Sequence, residues 1–232
     1  MEIKAITSVS EYLINYLRAE IITGGLPPGE KIKEYQLSET LDVSRPILRE
    51  VLRTLESEHL VNNIPRKGSY VTPISLEDFI EIYEIREMIE CRAVDLLKNK
   101  KIKVLPFIDQ TIEKESHLKV PSPEASPGDF YDFFEKGLNF HLMLVNSCGN
   151  RRLSQFYQGI QYNLLRYHVF LGSKNLETQV IVDHSEMAER LARGEYGRAK
   201  KLLRAHIKEH AEIIMRNMDR KNFLAANGQS SV

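Results

Sequence analysis

Residues 44–71, SRPILREVLRTLESEHLVNNIPRKGSYV, carry two signals in succession. The first is helical: Ile47, Leu48, Val51, Leu52 and Leu55 recur at the spacing of one buried helix face. Ser44 stands where a hydroxyl caps a helix by accepting from an unpaired N–H. Pro46 falls in the first turn, where a missing N–H costs little. The second signal is a hairpin. Leu60–Ile64 and Ser69–Thr72 read as two short strands around the turn Pro65-Arg66-Lys67-Gly68.

Upstream, Tyr12, Leu13, Tyr16, Leu17, Ile21 and Ile22 set a helical period from Ser8 to Thr23, ended by Gly24-Gly25. Pro27-Pro28-Gly29 makes a turn, and Glu34 to Leu41 is a short helix with Leu37 and Leu41 on one face. Three helices and a two-stranded wing make a winged helix-turn-helix, with the third as recognition helix. Arg45, Arg49 and Arg53 lie at i, i+4 and i+8, opposite the apolar stripe, where the helix would meet a major groove. Arg66 and Lys67, before Gly68 at the wing tip, are placed for phosphate or the minor groove. A charged face on a short helix is ordinarily just solvated. Three arginines behind a helix-turn-helix pattern and ahead of a basic wing are much more specific to DNA.

Composition narrows the rest. The 232 residues hold 32 Lys+Arg and 32 Asp+Glu, so DNA binding must come from local charge rather than from a basic chain. With 42% hydrophobic and 28% charged residues, the chain is no disordered polymer. Cys91 and Cys148 do not form a CxxC pair, which excludes a disulfide scaffold and a cysteine-ligated zinc ribbon and suits a reducing cytoplasm. No apolar run approaches the roughly 20 residues of a membrane helix. The opening MEIKAITSVSEY has no signal-peptide core. The expected location is the cytoplasm, with no membrane partner.

Downstream, Pro73 to Glu77 reads as a junction, and Ser75 ahead of Glu77-Asp78 as a helix cap. A long amphipathic helix to about Lys98 carries Phe79, Ile82, Tyr83, Met88, Ile89, Ala93 and Leu97. A helix is expected over Val104–Leu118, then a Pro- and Ser-rich loop from Val120 to Gly128. Helices follow near 129–147, 151–172, 176–193 and 196–218, punctuated by Asn150, Gly172-Ser173 and Gly194. The expected fold is mainly α. A winged helix-turn-helix over 1–73 precedes an antiparallel α-helical bundle of six or seven helices over 74–220, and 221–232 form a disordered tail.

Three histidines sit on apolar stripes of three different bundle helices. His141 lies with Leu138, Leu142 and Val145, His184 with Met187, Ala188 and Leu191, and His206 with Leu202, Leu203 and Ile213. One such residue is usually a hydrogen-bonded core histidine. Three that converge suit a zinc-like divalent metal. His210, one turn past His206, is a possible fourth ligand, although a histidine there also suits the helix dipole. His59, His117 and His168 show no convergence in the sequence.

Ile22-Thr23-Gly24-Gly25-Leu26-Pro27-Pro28-Gly29 and Ser44-Arg45-Pro46-Ile47-Leu48-Arg49-Glu50-Val51-Leu52 resemble the opening and the recognition helix of GntR-family transcription regulators. Leu60-Val61, Gly68 and Val71 complete the wing pattern. Pro46 comes one position earlier than in the family's motif. The second domain resembles the ligand-binding FCD domain of the FadR subfamily, through Asp78-Phe79 to Tyr83, Arg86 and Glu90, Asn139-Phe140-His141 with Asn150, and His184 spaced 22 residues from His206. The resemblance implies DNA contacts by Ser44, Arg45, Arg49, Arg53, Arg66, Lys67 and Gly68. It further implies a homodimer on a pseudo-palindromic double-stranded operator, and a small carboxylate or sugar-acid effector near Tyr83, Arg86 and Asn150. Metal-binding members join their three histidines with an aspartate one turn earlier, where this chain has Gly137. Zinc or nickel on His141, His184 and His206 would then be completed by water, by effector carboxylate or by Glu135. A metal-free pocket is the alternative. Arg86 reads equally as an effector cation and as an i,i+4 partner of Glu90. A helical metalloenzyme on the same histidines is the reading from another class. No general base or nucleophile pairs with them, so the expectation is a regulator and not an enzyme.

Overall fold

The structure, a computed structural model, describes residues 9–101, 119–122, 124–172 and 179–226. The expected helix over Val104–Leu118, with His117, lies outside them, as does the end of the tail. The chain divides into two compact units, Met1–Ile74 and Ser75–Val232.

In the first unit, α1 (Val9–Thr23) packs on α3 (Arg45–Ser57), with α2 (Glu34–Thr40) against α3. Leu13, Leu17, Ile21 and Ile22 meet Leu48, Val51, Leu52 and Leu55, each buried. Burying such a side chain contributes about 1.5–3 kcal/mol, so this apolar seam holds the unit together. Tyr12 and Tyr16 of the expected stripe are instead exposed. The inward position one turn on is taken by Arg18, whose guanidinium forks onto Glu58 at 2.9 and 2.6 Å. Ser44 is the N-cap of α3 but makes no side-chain cap bond. Pro46 occupies one of the positions whose N–H such a hydroxyl would take.

Strands β1 (Val61–Ile64) and β2 (Gly68–Val71) pair antiparallel, Val61 with Val71 and Ile64 with Gly68. Gly68 therefore opens a strand rather than ending the turn. Lys67 N–H donates to the Ile64 carbonyl at 3.0 Å, with Pro65 and Arg66 at the corner. Arg66 has φ +65, a conformation strained for any residue with a Cβ. The wing gains a further edge: Lys31 bridges Tyr70, and Ile32 N–H donates to the Ser69 carbonyl at 2.8 Å.

The second unit is helical. Its helices are α4 (Leu76–Lys100), α5 (Pro127–Ser147), α6 (Arg151–Tyr167), a π turn (His168–Gly172), α7 (Gln179–Ala192) and α8 (Tyr196–Ala226). Ser75 caps α4 by accepting from Asp78 N–H at 3.1 Å. Ser126 and Asp129 form a reciprocal capping box on α5. Helix α4 is central, packing on α5, α6 and α8, and α7 packs on α8. The expected helix 151–172 is α-helical only to Tyr167. The last helix runs to Ala226, past the expected start of the tail at 221. Leu224, Ala225 and Ala226 are strong helix formers, which accounts for the extension. No helix among the described residues is long and apolar enough to cross a membrane.

Candidate functional site

Arg86 and Glu90 stand one turn apart on the inward face of α4, 1% and 0% exposed, with Arg86 Nε donating to Glu90 Oε1 at 2.8 Å. A surface pair at this spacing is worth a few tenths of a kcal/mol. Breaking a buried one costs about 3–5 kcal/mol, because it strands a charge. Tyr157 of α6 donates to the same Glu90 oxygen at 2.9 Å. The other oxygen, Oε2, lies 2.7 Å from Nδ1 of His141 on α5. Burial pushes the Glu90 carboxyl up, but His141 and Arg86 outweigh it and hold it down at about 2. Burial takes His141 down to about 3 despite Glu90, so its imidazole is neutral at pH 7.

An ionised Glu90 accepts, so His141 carries its proton on Nδ1 and leaves a lone pair on Nε2. That nitrogen is 3.0 Å from Nε2 of His184 on α7, which is 3.2 Å from Nε2 of His206 on α8. All three rings are buried, and their ligand atoms lie within 4.8 Å of one another. Two nitrogens about 2.0–2.1 Å from one ion, at angles of roughly 90–110°, stand about 2.8–3.4 Å apart. The 3.0 and 3.2 Å separations on either side of His184 fit that span. The three imidazoles, one of them oriented by a carboxylate on its far nitrogen, could hold a metal ion.

Gly137 lies one turn before His141, and a Cβ there would meet His184 Cε1 at 3.9 Å, in ordinary contact. A side chain at 137 would thus reach the histidines. Glu135 does not: it is exposed, and its carboxylate accepts from Tyr131 at 3.4 Å. Arg86 Nη2 lies 3.0 Å from His141 Nε2, while Nη1 is buried with no hydrogen-bond partner among the described residues. The Tyr83 hydroxyl lies 3.0 Å from His168 Nε2, and its ring is 5.4 Å from the Arg86 guanidinium carbon. Asn150 is placed differently. Its side chain caps α6 by accepting from Leu153 N–H at 3.2 Å, outside the histidine network.

Two further histidines join the cluster: His210, which the sequence offers as a possible fourth ligand, and His168, for which it shows no convergence. His210 is buried with its ring 4.3 Å from His206, and His168 is buried 5.5 Å from His210. The absence of convergence expected for His168 is thereby corrected. Residues 163–169 are all buried, so no apolar face could be read from their period. Burial is the leading cause lowering His168, His206 and His210 well below the ordinary histidine range.

In the first unit, Arg45, Arg53, Arg66 and Lys67 are exposed, as is Ser44. The Arg49 side chain is 58% exposed, and its Nε donates to Glu34 Oε2 at 2.9 Å. Glu34 Oε1 accepts from Ser69 of β2 at 3.0 Å. The hydrogen bond from Arg49 is the chief cause holding the Glu34 carboxyl below its usual range.

The family model for gntR-family bacterial regulatory proteins matches residues 10–71, and the FCD domain model matches residues 81–209. An uncharacterized HTH-type transcriptional regulator of Bacillus subtilis, YdhC, is 28% identical over 206 residues, covering 85% of this chain and 87% of that protein. The Escherichia coli HTH-type transcriptional repressor GlaR is 25% identical over 223 residues, covering 92% of this chain and 98% of that one. A crystal structure of a putative GntR transcriptional regulator from Rhodococcus superposes with a TM-score of 0.68 at 21% identity, over 89% of this chain and 97% of that one, and shares the fold.

Proposed function

The chain belongs to the gntR family of bacterial regulatory proteins and carries an FCD domain, and on that footing we propose that a small acidic metabolite, held with a divalent metal by His141, His184 and His206, controls its affinity for DNA. It is a transcriptional regulator. The observation that carries the proposal is the convergence of three buried Nε2 atoms at 3.0 and 3.2 Å.

Charge selects the effector class. Glu90 and Arg86 cancel, and imidazole ligates a metal in its neutral form, so a divalent ion leaves its double charge uncompensated. That favours zinc or nickel by donor type and an anionic effector by charge. When bound, the ion supplies a Lewis-acidic centre for a carboxylate or sugar-acid oxygen. Arg86 Nη1 offers the same anion a buried cationic donor, and Tyr83 packs beside that guanidinium. His141 is held in one tautomer by Glu90. An effector then shifts operator affinity by as much as it prefers one arrangement of the protein, about 1–3 kcal/mol in most coupled systems.

The regulator acts in the cytoplasm as a homodimer on a pseudo-palindromic operator, because two-fold protein symmetry calls for two-fold half-sites. The recognition helix presents Ser44, Arg45, Arg49 and Arg53, and the wing presents Arg66, Lys67 and Gly68. One observation favours a metal-free version of the site. Arg86 Nη2 sits at 3.0 Å from the His141 lone pair that a metal would need, and could hold an effector carboxylate without an ion. Metal content before and after chelation, followed by melting temperature against a panel of small carboxylates, separates the two. A carboxylate that stabilises the protein only when metal is present supports the metal reading. Equal stabilisation in chelator supports the other.

A further inference from the structure

The Glu34 carboxylate joins three elements at the face presented to DNA. It stands at the first turn of α2, accepts from Arg49 on α3 at 2.9 Å through Oε2, and accepts from Ser69 on the wing at 3.0 Å through Oε1. Ser69 is buried, and Glu34 is 19% exposed against 58% for Arg49. An ion pair this open is screened by solvent, so the fold gains little from it. A carboxylate beside a DNA-facing surface also repels phosphate, which works against nonspecific binding. Neither consideration explains the placement, but geometry does. With Nε committed to Glu34, Nη1 and Nη2 remain as a pair of donors, since Arg49 makes no other hydrogen bond among the described residues. That pair matches O6 and N7 of a guanine in the major groove. An untethered arginine would surrender side-chain rotamer entropy to reach such a pose. Arg45 and Arg53, with no such tether among the described residues, suit phosphate.

We propose that Glu34 is the positioning residue for DNA reading: it fixes Arg49 as a guanine reader and locks the recognition helix to the wing through Ser69. This rests on the reading of α3 as the helix that enters the groove. The test uses duplexes enriched by the wild-type full-length protein from a randomised pool, with a scrambled duplex of equal length as the nonspecific probe.

Glu34→Gln keeps the shape and removes the charge. It should lower the enriched-to-scrambled affinity ratio by about tenfold, the scale of one bidentate base contact. Scrambled-DNA affinity should stay the same or rise. Enrichment by this variant should lose a guanine preference at one position of each half-site. Arg49→Ala should lose the same preference, and the double variant should lose no more than Arg49→Ala alone. Ser69→Ala, which frees the wing anchor and leaves the Arg49 contact, should move the ratio the same way and serves if Glu34→Gln folds poorly. If Glu34→Gln and Ser69→Ala keep the wild-type ratio and guanine preference while Arg49→Ala loses both, Glu34 is a surface ion pair and the proposal fails alone. If Arg49→Ala also keeps both, the reading of α3 fails with it.

Discussion

Nδ1 of His141 lies 2.7 Å from Oε2 of Glu90, and both side chains are out of solvent. That contact fixes which imidazole nitrogen is free, and the same carboxylate neutralises Arg86 at 2.8 Å. Glu90→Gln keeps the volume but strands the guanidinium. It should destabilise the helical unit by about 3–5 kcal/mol, as breaking a buried pair does. Metal affinity should fall about 10–100-fold, the usual effect of losing the group behind a ligating histidine. Denaturant melts in chelator measure the first effect, and metal titration of the folded variant measures the second. An unchanged melt would mean that Arg86 is not held by Glu90.

Acid should unfold the metal-free protein early. His141 titrates at about 3, and His168, His206 and His210 lie well below 6.5 because burial disfavours their charged form. Unfolded, each would titrate near 6.5. Below that pH the unfolded chain binds more protons than the native one. The stability is therefore complete above about 6.5 and is lost as pH falls beneath it, by up to about 1.4 kcal/mol per pH unit for each group. Glu90, held at about 2, adds a loss only below the ordinary carboxylate range. Melting temperatures in chelator from pH 8 to 5 should drop steeply below about 6.5, and a flat profile would show that these imidazoles are not kept neutral.

Much of this was legible in the sequence for reasons that differ by residue. The stripe of Leu48, Val51, Leu52 and Leu55 is local, so its period alone places α3. His141, His184 and His206 could be singled out because each interrupts an apolar face on a different helix. Glu90 could not be. Its spacing from Arg86 is that of an ordinary surface pair, and only burial turns it into the orienting carboxylate. His168 was hidden because residues 163–169 are buried on every side. The Lys31–Tyr70 bridge and the Glu34–Ser69 bond join residues far apart in the chain. No short-range pattern reports such pairing.

The wing gives a prediction in which stability and binding part. Arg66 holds φ +65 at the corner of the hairpin, a conformation that glycine adopts without strain. Arg66→Gly should therefore leave the melting temperature unchanged or raise it, yet weaken DNA binding. Lys67→Ala should weaken enriched and scrambled duplexes alike and reduce the slope of log affinity against log salt by about 1, one phosphate contact's worth. Fluorescence anisotropy at several salt concentrations checks both. A Lys67→Ala slope equal to wild type would remove the wing tip from the phosphate contacts.

Gly137 offers the sharpest test of the metal reading, because metal and effector should respond in opposite directions. A Cβ at 137 would sit 3.9 Å from His184 Cε1, in ordinary contact, so the first atom of a side chain is accommodated there. Aspartate is also somewhat better than glycine inside a helix, by a few tenths of a kcal/mol, so Gly137→Asp should fold. Its carboxylate would join the three imidazoles, cancel half of a divalent ion's charge and tighten metal binding. The same carboxylate would take the position and the charge that an anionic effector needs, so carboxylate binding should weaken. His184→Ala should lower both, since its Nε2 stands between those of His141 and His206 at 3.0 and 3.2 Å. Isothermal titration with zinc or nickel, then with the carboxylate found by melting-temperature screening, reads the two affinities separately. If Gly137→Asp leaves both untouched and wild-type protein takes up neither ion, the histidines are core residues and the effector is held without metal.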